Sequence, residues 1–297
     1  MKKVKVLLLA VVAAVVTGCG TTSTVPITGR KQNLLVSDEQ VLSLSNQQYQ
    51  EYMKSARPSV NAANTAMVKR VGQKLAQAVV SYLQSNGMAG DVSQYQWEFN
   101  LVQDQNVNAF CMPGGKIVVY EGLLPVTQTE GALAIVLGHE IAHAVARHSA
   151  ERLSNQVKQQ YGSQILGTVL SGAGASTNVQ QISSTVFGLG SSLGAAAYSR
   201  SQESEADHLG LIFAAMAGYD PQAAVPFWQR MASASGGGSS LFSDHPSDAK
   251  RIANIQGWMP EAMTYYRGGS TPAVSSPNTT TPSSSGTMKT IHIPTKK

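Results

Sequence analysis

The chain has 297 residues, 42% of them hydrophobic, and a formal net charge of +5. With the ends set aside, that is enough apolar matter for one domain of about 230 residues. The positive excess sits at the ends, in Lys2, Lys3 and Lys5 and in Lys289, Lys296 and Lys297. The stretch between has no basic surplus, which argues against a nucleic-acid partner.

Residues 1–18 read as a lipoprotein signal peptide. Three lysines form a positive start, and Val6 to Val16 is an apolar run too short for a comfortable membrane span. Val16-Thr17-Gly18-Cys19 then fits a lipobox, with Cys19 as the acylated first residue. A cleaved signal with an incidental cysteine is the plainer alternative. Gly20, where Asp would signal retention at the inner membrane, points to lipid anchoring in the outer membrane on the periplasmic side. The other cysteine, Cys111, then has no intramolecular partner, so no disulfide is expected. Residues 19–34 read as a tether.

Residues 35–267 form the expected domain, mainly helical in an α+β arrangement. Helices are expected over 38–54 and 61–85. A small sheet follows, with strands over Tyr95–Val102 and Lys116–Tyr120. Asn108-Ala109-Phe110 and Met112-Pro113-Gly114-Gly115 connect them.

Gly138-His139-Glu140-Ile141-Ala142-His143 is the most informative stretch. On a helix, His139 and His143 stand about 40° apart around the axis, so both imidazoles can reach one metal ion. Glu140 projects into the same cleft, where it can act as a base on a metal-bound water. The flanks are apolar helix formers, so this helix should be buried, and Thr127 to Glu130 has capping-box spacing for its start. The bland alternative, two core histidines and a paired glutamate, is costly without a common partner. His148 falls five residues after His143 and should point off the metal face, in a structural role.

Residues 155–198 are rich in Gly, Ser, Ala and Val, and suit a mobile lid or a helical hairpin. A catalytic zinc wants a third protein ligand and an open position. Glu203 and Asp207 lie four apart, on one helix face. Glu203 is the candidate ligand. Asp207 can accept the outer N–H of a ligating histidine and fix its tautomer. Glu205, between them, should point away. Two helices are read over 205–217 and 221–233. His245 follows the flexible Gly236-Gly237-Gly238-Ser239-Ser240 loop, and a surface histidine is the plain reading. From Gly268 onward the chain is a Ser/Thr/Pro-rich tail, expected to be disordered.

Several of these pieces together resemble the HtpX-type and CAAX-prenyl-protease-type zinc metallopeptidases, in their soluble, periplasmic lipoprotein branch. They are Asn108-Ala109-Phe110, Pro113-Gly114-Gly115, Gly122-Leu123-Leu124, the His139–His143 motif, Glu203 to Asp207, and Asp244-His245-Pro246. They span roughly residues 35–258. The resemblance implies a zincin-like domain with a small mixed β-sheet and an active-site helix. It implies one Zn2+ per chain on His139, His143 and Glu203, with Glu140 as the base. It implies that His245 approaches the zinc, either stabilising the oxyanion or plugging the open position. It places Asn108-Ala109-Phe110 at a sheet edge that takes an extended peptide by strand addition.

The implied function is an envelope endopeptidase acting on unfolded or extended polypeptides. The competing reading is a latent-site chaperone or assembly factor working with the outer-membrane assembly machinery. An intact Glu140 favours the first, because a scaffold has no chemical need for it.

Overall fold

In this computed structural model the described residues are 21–171, 198–234 and 249–267. Cys19 and the leader, residues 172–197, the Gly/Ser loop with His245, and the tail lie outside them.

Local capping fixes the first two long helices. Ser37 accepts from the Gln40 N–H while Gln40 reaches back to the Ser37 N–H, which starts α1 (Asp38–Ser55). Asn61 accepts from the Asn64 N–H and starts α2 (Ala62–Ser85). One face of α2, with Val68, Val71, Leu75, Val79 and Leu83, is buried in the main core. A single turn, α3 (Ala89–Val92), leads to the sheet.

That sheet is small and mixed. It holds β3 (Glu98–Val102), β4 (Ala109–Met112) and β5 (Lys116–Tyr120) in the order β3-β5-β4. β5 runs parallel to β3 and antiparallel to β4, with Val118 facing Asn100 on one side and Phe110 on the other. The residues read as a mere connection thus contain a strand, and Asn108 immediately precedes it. Pro113-Gly114-Gly115 turns β4 into β5, with φ of +87° and +85° at the two glycines. A Cβ at Gly115 would also stand 2.7 Å from the Trp97 ring, so this turn needs glycine twice over.

A short turn of helix, α4 (Leu124–Thr127), precedes the central helix α5 (Glu130–Val145). The cap of α5 is Thr129, whose hydroxyl accepts from the Ala132 N–H, not Thr127, which still belongs to α4. All of α5 except Glu130, Gly131 and Ala144 is buried, as its all-round apolar sequence requires. Next come α6 (His148–Ser171), α7 (Arg200–Met216), α8 (Ala224–Ala234) and α9 (Ala249–Tyr265). So the first part of the Gly/Ser/Ala-rich stretch is helical as far as Ser171.

The expected tether is partly folded onto the domain. β1 (Thr21–Thr24) and β2 (Lys31–Leu34) pair antiparallel. Val25 between them is buried in the main core, and the Gln32 amide donates to the Ala146 carbonyl at 3.0 Å. Apolar residues at Val25, Leu34 and Val36 make this packing favourable, and a polar composition count hides them.

Candidate metal centre

α5 and α7 cross at two glycines. A Cβ on Gly138 would stand 2.6 Å from the Gly210 carbonyl oxygen, and one on Gly210 would stand 2.5 Å from the His139 nitrogen. The backbones touch because neither residue has a side chain. That contact brings the His139 turn of α5 against the acidic first turns of α7.

Three side chains converge there. The Nε2 atoms of His139 and His143 are 3.1 Å apart. Glu203 Oε2 lies 3.5 Å from His139 Nε2, and Oε1 lies 3.4 Å from His143 Nε2. All three residues are buried. Ligands about 2.0–2.1 Å from a tetrahedral ion are separated by about 3.3 Å, so the trio fits one metal ion with a fourth position left over. The donors are two imidazoles and one carboxylate, the set of a catalytic zinc site. Ser199 caps α7 and leaves Glu203 in its first turn, where the helix dipole favours a carboxylate.

Each histidine is held from behind. His139 Nδ1 is 2.9 Å from Asp207 Oδ1. Burial opposes a charge on the metal-free His139, but Asp207 and Glu203 outweigh it and lift its pKa to about 9. At His143 burial outweighs the opposing pull of Glu203 and drives it well below the usual histidine range. Its Nδ1 meets His148 Nδ1 at 2.9 Å. His148 thus lies off the metal trio and braces His143 from behind. α5 ends at Val145, and Arg147 takes a left-handed φ of +55°, so the chain doubles back and returns His148 to His143. Glu205 does point away from the trio. Burial opposes its ionisation, yet hydrogen bonds from His148, Arg30 and Thr28 hold its pKa at about 2.

Glu140 is buried beside the trio, with its charge felt at Cys111 on β4 and at Tyr198. Burial, then the Glu140 charge, pushes the Cys111 thiol up, so this free cysteine is a poor thiolate. Ala109 and Phe110 lie on β4, whose outer edge has no strand partner among the described residues.

Arg251 on α9 was not legible as a site residue. It is buried and donates to Asp207 Oδ1 at 2.5 Å, with Glu203 Oε2 3.7 Å away. Its guanidinium lies 3.6 Å over the Trp228 ring. Tyr198 stacks on His143 with ring centres 4.0 Å apart, a contact no sequence spacing encodes. An arginine six residues after His245 was the only sequence signal, and it carries no periodicity.

The comparisons agree with this geometry. The chain is 40% identical over 176 residues to mitochondrial metalloendopeptidase OMA1 of Schizosaccharomyces pombe, covering 58% of this chain and 49% of that one. It is 31% identical over 184 residues to the putative beta-barrel assembly-enhancing protease of Vibrio cholerae, covering 61% and 36%. It is 28% identical over 261 residues to metalloprotease LoiP of Escherichia coli, covering 86% and 96%. The chain thus spans about half or less of the first two relatives and nearly all of the third. With residues 60–259 matching the model of peptidase family M48, the chain belongs to that family of metallopeptidases.

Proposed function

We propose that the chain is a zinc endopeptidase of the bacterial envelope that hydrolyses unfolded or misassembled proteins. The observation that carries this is the convergence of His139, His143 and Glu203, with Glu140 buried alongside. A bound zinc would polarise the scissile carbonyl and acidify water there. Glu140 accepts the proton of the attacking water and returns it to the leaving amine. Asp207, itself held by Arg251, keeps His139 in the tautomer with a free Nε2 lone pair. The open edge of β4 supports the reading of Asn108-Ala109-Phe110 as a strand-addition site, which grips any extended chain through its backbone.

Casein digestion tests this activity. A chelator should abolish it and added zinc restore it; chelator-resistant digestion would refute the metal mechanism. His245→Ala in the same assay separates two roles by sign. Loss of about 10²-fold marks an oxyanion stabiliser, and a rise marks a plug of the fourth position. No change returns His245 to the surface.

The envelope assignment rests on the leader and on the LoiP and assembly-enhancing relatives, against mitochondrial OMA1 relatives. Among the described residues no helix is long and apolar enough to cross a membrane. The lipobox Val16-Thr17-Gly18-Cys19 supports anchoring by lipid on Cys19, which would hold the enzyme near outer-membrane assembly machinery. Cys19→Ser should release the protein from membranes; unchanged membrane association would point to another anchor.

A further inference from the structure

The two histidines of the trio are supported differently. Behind His139 stands one carboxylate, Asp207. Behind His143 stands a longer chain of side chains that ends in the N-terminal hairpin. His148 is fully buried and bridges the gap, with Nδ1 2.9 Å from His143 Nδ1 and Nε2 3.0 Å from Glu205 Oε2. Glu205 also accepts from the Thr28 hydroxyl at 2.6 Å and from Arg30 Nε at 2.8 Å. Arg30 turns its other two nitrogens to Glu151, at 2.6 and 3.0 Å. Gln202, one residue before Glu203, donates to the same Glu151 carboxylate at 2.8 Å.

The proton order in this chain is set from its far end. The Glu205 carboxylate only accepts, so His148 Nε2 donates to it. A neutral His148 then has a bare Nδ1, which accepts from His143 Nδ1–H. His143 is left with its lone pair on Nε2, the atom that faces His139 and Glu203. The network thus selects the tautomer that a metal ligand requires. Nothing about His148 alone would do this; it needs the Glu205 carboxylate held in place as its acceptor. Thr28 and Arg30 do that from a hairpin more than 170 residues away in sequence.

We infer that His148 is a positioning residue for the metal ligand His143, and that Thr28 and Arg30 make the N-terminal hairpin a working part of the metal centre. This rests on the metal-site reading above. It also implies that pulling the hairpin off the domain loosens the metal without touching a ligand.

The test uses the full chain loaded with zinc, and separately with cobalt. Zinc affinity is measured by competition with a chromogenic chelator, and the cobalt absorption bands report ligand geometry. His148→Phe keeps the ring but removes both nitrogens. It should weaken zinc binding about 10- to 100-fold and shift the cobalt bands. Arg30→Met should weaken it several-fold in the same direction, with the urea midpoint recorded beside it. A folded His148→Phe with zinc affinity within twofold of wild type and unchanged cobalt bands would overturn the proposal. Should His148→Phe fail to fold, Arg30→Met decides: its site is partly exposed, and unchanged affinity and bands there overturn the proposal equally. A wild type whose zinc uptake survives His139→Ala would instead bring down the metal-site reading, and this inference with it.

Discussion

Glu140→Gln should keep its metal and its fold and lose peptide hydrolysis by at least ~10²-fold. The substitution exchanges one carboxylate oxygen for an amide nitrogen of nearly the same size, so packing around this buried position is preserved. What is lost is a proton acceptor. Glu140 follows His139 on α5 and is buried beside the metal trio. Its charge reaches Cys111 on β4 and Tyr198. An amide there can still hold a water but cannot take its proton. Casein turnover by the variant at the wild-type rate would remove Glu140 from the mechanism.

Gly210→Ala should damage both the fold and the metal centre. Its Cβ would lie 2.5 Å from the His139 nitrogen, 2.7 Å from the His139 Cα and 2.8 Å from the Gly138 carbonyl carbon. All three are backbone atoms, so relief requires α5 and α7 to part. Alanine gains about 1 kcal/mol of helix propensity over glycine, and overpacking of this kind costs about 1–3 kcal/mol or more. The clash wins because no side chain can rotate away. Parting the helices also moves Glu203 from the histidines, so zinc affinity should fall with stability. Gly257→Ala is the control: it is exposed on α9 with nothing within 4 Å of the new methyl, and should stabilise by up to about 1 kcal/mol. Equal urea midpoints for wild type and Gly210→Ala would contradict the crossing.

Local signals carried the parts of the fold that were legible. α1 and α2 lie within a residue of where the sequence put them, and Ser37 and Asn61 cap their starts. The metal trio was legible because ligand spacing on a helix is also local. α7 begins at Arg200, five residues before the helix read there, because its first turns are polar and carry the site. β4 is hard to read as a strand, being only four residues long and flanked by Asn108 and Pro113. The places of Arg251, Tyr198 and Arg30 depend on contacts between distant segments. No period in the sequence encodes those. Gly138 and Gly210, each a glycine inside a long helix, are the sequence's marks of the helix crossing.

The measurement that bears most directly on the central claim is bound zinc per chain in purified wild type, His139→Ala and His143→Ala. The account predicts about one zinc in the wild type and loss of most of it in each variant, since either histidine supplies one of three protein ligands. Full retention of zinc in both variants would contradict it.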